Sequence, residues 1–131
     1  MSTTVVSSQG AAGTIRWVLR STNTSGHACR SQGYPGMDFH ASTGWLNVQV
    51  HRGGFPDIGG TPQPQVVGAG QSVYFVAYWS DVPTSAGPCA QFDKVKVTLP
   101  NNFVSLQISG TGCLTPSSVD VGPVSTTAPS P

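Results

Sequence analysis

Apolar residues in this chain recur at every second position, and no stretch shows the three-to-four spacing of an amphipathic helix. The clearest run is 14–22. Ile15, Trp17 and Leu19 fall on one side of it, and Arg16, Val18 and Arg20 on the other. Residues 72–79 are apolar on both sides (Val73 through Trp79), which predicts a strand in the middle of a sheet. Shorter runs predict strands at 3–8, 37–41, 45–52, 65–67, 92–99, 103–109 and a last edge strand at 117–121. Turn chemistry separates them: Gln9-Gly10 and Gly13, Asn23-Thr24-Ser25-Gly26, Pro35-Gly36, Ser42-Thr43-Gly44, Gly68-Ala69-Gly70 and Asn101-Asn102. Residues 37–41 and 45–52 read as a hairpin, 53–64 as one exposed loop and 81–88 as another.

Eight or nine short strands joined by turns predict an all-β fold, an immunoglobulin-like two-sheet β-sandwich. A closed barrel is the alternative. The domain is expected over residues 1–121. Residues 122–131, rich in Ser, Thr and Pro, read as a flexible tail that buries nothing.

Hairpin arithmetic bears on the cysteines. If the turn centres on Asn101-Asn102, residue j faces residue 203 − j, and Cys89 faces position 114, next to Cys113. A turn centred on Asn101 puts the two opposite each other. A Cys89–Cys113 bridge would clamp the open end of this hairpin and close a loop of ~23 residues, worth about 3 kcal/mol. Cys29–Cys113 is the rival pairing. An odd cysteine in a domain of exported character leaves one thiol, or a partner elsewhere.

Composition supports the pattern. Charged residues are 8% and hydrophobic ones 37%, Glu is absent, and Lys occurs only at Lys94 and Lys96, so Ser, Thr, Asn, Gln and Gly do the solvating. The formal net charge of +1 gives no case for a nucleic-acid partner or an anionic membrane surface. The longest apolar runs are strand length, so this segment is not expected to insert in a membrane. Met1 opens directly into a β pattern, as if placed on a mature domain.

Several segments carry a family resemblance: Asn23-Thr24-Ser25-Gly26, Cys29, Gly33-Tyr34-Pro35-Gly36, Ala69 to Phe75, Trp79-Ser80-Asp81-Val82, Cys89, Val95 to Thr98 with Pro100, Cys113, and Ser117-Ser118-Val119. In this order they resemble an actinobacterial secreted domain family of unknown function, common in mycobacteria and streptomycetes and often found behind a lipoprotein signal. The resemblance implies an exported, immunoglobulin-like domain, secreted or in the cell envelope, with no catalytic residues to transfer. It also implies a further cysteine before the first strand, which would make Cys29 an orphan.

Candidate chemistry is sparse. Asp38 and His40 share one strand face and could form half of a metal site or an acid–base pair, but the alternation favours the plainer reading, a solvated face opposite Met37 and Phe39. Cys29 has His27 and Arg30 near it, a weak hint of an activated thiol. No zinc spacing, nucleophile elbow, phosphate loop or blue-copper pattern occurs, and no cofactor is expected. Asn23-Thr24-Ser25 matches a glycosylation sequon. The candidate binding residues are aromatics near turns: Trp45, Phe55, Tyr78 and Trp79.

These observations predict a monomeric, non-enzymatic domain that binds a protein or a cell-wall glycan through its loops. One alternative is a structural accessory domain with no ligand of its own. The other is a thiol- or metal-dependent enzyme built around Cys29 and His27, or around Asp38 and His40.

Overall fold

The computed structural model describes residues 2–11, 13–42, 44–46, 48–53, 61–80, 90–100 and 105–129. Within them the chain is all-β: β1 (Ser2–Ala11), β2 (Thr14–Thr22), β3 (Cys29–Ser31), β4 (Gly36–Ala41), β5 (Gly44–Trp45), β6 (Gln49–Arg52), β7 (Gln65–Val67), β8 (Ser72–Ser80), β9 (Ala90–Thr98) and β10 (Ser105–Val121). No helix among the described residues is long and apolar enough to cross a membrane.

Eight strands join one hydrogen-bonded path, β1-β2-β8-β10-β9-β4-β5, with β6 added beside β10; β3 and β7 form a separate ladder. β10 is the hinge of this arrangement. Its first part, from Ser105 to Leu114, pairs with β9, and its last part, to Val121, pairs with β8. The arm β1-β2-β8 and the arm β9-β4-β5 are therefore joined through one strand. Their apolar faces share a single core.

That core follows from the alternation. β8 sends Val73, Phe75, Ala77 and Trp79 inward, β2 sends Trp17 and Leu19, β4 sends Met37 and Phe39, and β9 sends Phe92, Val95 and Val97. Four aromatic rings meet edge to face across it: Trp17–Trp79 at 4.7 Å between centroids, Phe39–Phe92 at 4.9 Å, Phe39–Trp79 at 5.7 Å and Trp17–Phe92 at 5.9 Å. Such pairs add about 0.5–1.5 kcal/mol each beyond burial. The opposite face of β2 and β8 holds a smaller cluster, Val18 and Val76 covered by Tyr74 and Tyr78. The double-sided strand at 72–79 is central, between β2 and β10.

Three expectations change. The run 45–52 is not one hairpin arm. After His40↔Trp45 pairing, Leu46 and Val48 turn towards the core, and the chain resumes as β6, parallel to β10. Two inward apolar residues outweigh continuation of a two-residue edge strand.

The strand expected at 117–121 is not an edge. It is the end of β10, paired on both sides, with Val119 and Val121 fully buried. Pro116 is tolerated there because the β10–β8 register shifts between Thr115 and Asp120.

The third change is at the tail. The expectation that it buries nothing fails at Val124, which lies in the core. Its N–H donates to the Gly33 carbonyl, Ser125 exchanges hydrogen bonds with Tyr74, and Thr126 donates to Gln65 Oε1.

The hairpin register is as the arithmetic predicts over its inner part: Ser105 faces Thr98 and Ser109 faces Lys94, each pair summing to 203. An irregularity between Ser109 and Gly112 then moves the sum to 204, so Cys113 faces Gln91. The Asn101-Asn102 turn and Cys89 lie outside the described residues. Cys29 is a free thiol, which removes the Cys29–Cys113 alternative.

Candidate functional site

The alternation that buries Met37 and Phe39 places Asp38 and His40 on the outer face of β4. β4 pairs with β9 in a register that sets Asp38 opposite Lys96 and His40 opposite Lys94. On the other side of β4, the short turn to β5 sets Trp45 opposite His40. Gly44 makes that turn possible with φ of 117°, a conformation that side-chain-bearing residues rarely adopt.

These side chains form a chain of contacts across the sheet face. Lys96 Nζ lies 5.0 Å from the centre of the Trp45 indole. The His40 ring meets the same indole edge to face at 5.1 Å. His40 Nδ1 donates to Asp93 Oδ1 at 2.8 Å. An ionised carboxylate can only accept, so the proton of this bond belongs to His40. The hydrogen bond from His40 holds the Asp93 carboxyl below its usual range, with its charge and that of Lys94 acting in the same direction.

Trp45 is 46% exposed, whereas Trp17 and Trp79 are 5% and 4%. The four aromatics expected to bind therefore separate. Trp45 stands at the surface. Trp79 is a core residue whose Nε1 donates to the Cys113 carbonyl at 3.1 Å, so it offers no loop surface. Tyr78 packs on Val18 and Val76, and its hydroxyl accepts from Arg16 Nε at 3.1 Å. Phe55 lies outside the described residues.

Asp38 and His40 do not converge, since His40 turns to Asp93. Among the described residues no group of three metal-ligating side chains occurs. Cys29 is half-buried on β3, with Ser25 Oγ 3.9 Å from its sulfur, in the separate β3–β7 ladder rather than in the sheet that holds β4.

Sequence reasoning missed Asp93 and Lys96. Lys96 needed the β4–β9 pairing, which joins strands over 50 residues apart and leaves no local trace. Asp93 had one signal: Phe92 and Val95 both point inward although three apart, so the alternation breaks between them.

The sequon segment is structural. Asn23 is 1% exposed. Its side-chain amide donates to the carbonyls of His27 and Val67, both at 2.9 Å, and its oxygen accepts from the Ser25 N–H and hydroxyl. Both amide hydrogens are committed, which leaves no accessible acceptor for a glycan in the folded chain.

Two open clefts flank the β3–β7 ladder. One, about 410 Å³, is lined by Val66, Gln71, Ser72, Tyr74 and Thr126. The other, about 580 Å³, includes Tyr34, Arg52 and Pro100.

Residues 1–128 match a family described as a domain of unknown function, DUF4232. No curated protein and no solved structure matches the chain.

Proposed function

The chain belongs to the DUF4232 family, and from that premise we propose that it is a non-enzymatic, extracytoplasmic binding domain whose contact surface is the outer face of β4, β5 and β9 around Trp45. The observation that carries the reading is the position of Trp45. Of three tryptophans it alone is at the surface, and it is flanked by a cation and an imidazole rather than by apolar residues. A half-exposed indole with polar neighbours gives a flat apolar platform with hydrogen-bonding groups at its rim, the arrangement that stacks a sugar ring or an apolar side chain. A cell-wall saccharide is the ligand class we favour, because the rim is mixed in charge and, among the described residues, holds no second large apolar anchor.

The immunoglobulin-like sandwich and the Cys89–Cys113 bridge belong to the same proposal. Two arms sharing one core and linked by a strand common to both support the first. For the second, Cys113 faces Gln91, two residues from Cys89 in sequence. A bridge and a low-charge, Lys-poor surface suit an oxidising compartment.

Co-sedimentation with insoluble cell-wall polysaccharide tests the function. The wild type should pellet with the wall material, and Trp45→Ala should remain in solution while keeping the wild-type circular dichroism spectrum. Equal pelleting of the two proteins would reject the Trp45 surface. The structural-accessory alternative, favoured by the way Lys96 and His40 already cover part of the indole, predicts that neither protein pellets.

A further inference from the structure

We infer that the cleft between Tyr34, Arg52 and Pro100 is a second binding site, for a saccharide that carries a carboxylate. It lies at the end of β4 opposite Trp45 and uses none of the residues of that face. Its volume, about 580 Å³, falls within the range of small-molecule sites, roughly 300–1,000 Å³.

The walls are built to stay in place. Pro62 and Pro100 contribute rigid rings, and Tyr34 is packed against the core. Ser31 Oγ donates to the Pro100 carbonyl at 3.2 Å, and the Val124 N–H donates to the Gly33 carbonyl at 3.0 Å. Gly33, with φ of 120°, brings the chain to 3.6 Å from the Pro100 side chain, measured from where a Cβ would sit. Arg52 ends β6, which is anchored by parallel pairing to β10.

The charge is one-sided. Among the described residues Arg52 is the only charged one lining the cleft, and no carboxylate pairs with it. Its guanidinium is held 5.4 Å from the centre of the Tyr34 ring. A guanidinium stacked on a ring loses less freedom when a carboxylate binds its N–H edge, and it can grip that carboxylate with two parallel bonds. The proline faces accept the C–H face of a sugar, while Thr61 stands at the rim for a hydroxyl contact. The Gly33 carbonyl is already engaged, so main-chain pairing of a peptide finds one acceptor fewer here.

Titration of the ¹⁵N-labelled full chain with a uronic-acid disaccharide, followed by amide shifts, tests the inference. Shifts should centre on Gly33, Tyr34 and Arg52. The same disaccharide with its carboxyl reduced to an alcohol should bind about 10-fold more weakly or not at all, in line with loss of a charge-assisted bond. Arg52→Gln should match that loss, Arg52→Lys should recover part of it, and Trp45→Ala should bind as the wild type. Raising the salt concentration should weaken wild-type binding without any substitution, which keeps the test valid if Arg52→Gln misfolds. Equal affinity for the acid and its neutral form would overturn the inference, as would shifts confined to the Trp45 face. An acidic tripeptide that binds the cleft more tightly than the saccharide would also overturn it.

Discussion

Asn23 occupies a fully enclosed position, and each of its polar side-chain atoms has a partner. Its amide ties the Ser25–His27 turn to β7 through the Val67 carbonyl, and its backbone exchanges hydrogen bonds with Gly70 and Gln71. Truncation would strip the buried Val67 carbonyl of this donor and cut the tie from the Ser25–His27 turn to β7. Asn23→Ala should therefore lower stability by about 2–4 kcal/mol in chemical denaturation. An exposed change nearby, such as Thr24→Ala, should stay within about 0.5 kcal/mol. The sequence marks this segment as turn chemistry but not as buried, because the partners that enclose it, Val67, Gly70 and Gln71, lie more than 40 positions away. Asp93 offers a second test. Its folded-state pKa lies below the ordinary 3.8, so the His40–Asp93 pair contributes stability above that value and loses it as pH falls through the lower folded value. The carboxylate is fully exposed, so the contribution is small. In a carboxyl ¹³C titration, His40→Gln should move the Asp93 midpoint up towards 3.8, and an unmoved midpoint would remove His40 as the cause.

Strands read well from this sequence where one face is buried and the other wet, as in β2 and β4. Local pattern also placed β8 centrally and gave the β9–β10 register as far as Ser109. It failed where the chain changes ladders. The break between β5 and β6 and the continuity of β10 past Pro116 are set by which core has room for Leu46, Val48, Val119 and Val121. That is tertiary information. The β9–β10 irregularity has a consequence of its own. Gly112 faces Phe92, and a Cβ at that position would lie 2.8 Å from the ring. Phe92 is locked among Trp17, Phe39 and Trp79 and has no free end to swing away. Gly112→Ala should cost about 1–3 kcal/mol through overpacking, measured by thermal or denaturant unfolding. A neutral result would mean that β10 can shift along β9 at that point.

The molecule as a whole separates its aromatics by role. Trp17 and Trp79 hold the two arms together from inside, and Trp45 is spent on the surface, where it adds little to folding. Trp79→Ala should cost about 3–5 kcal/mol, whereas Trp45→Ala should cost under about 1 kcal/mol. The candidate face was half legible in advance: Trp45 and His40 stood out as residues, but the sheet order that joins them to Lys96 and Asp93 did not. Covalent organisation is open to a direct check. Intact mass with and without reduction, then peptide mapping, should find Cys89 joined to Cys113 and Cys29 alkylatable. Three free thiols after oxidative refolding would remove the bridge and weaken the extracytoplasmic assignment.

The central claim, that Trp45 is the surface on which a partner sits, is tested most directly by iodide quenching of tryptophan fluorescence with and without soluble cell-wall saccharide. In the free protein quenching should come almost wholly from Trp45, and Trp45→Phe should leave an emission that iodide barely reaches, because Trp17 and Trp79 are buried. Saccharide should then protect the wild type from iodide and leave the Trp45→Phe signal unchanged. Unaltered quenching at saccharide concentrations that saturate co-sedimentation would place the ligand elsewhere and contradict the account.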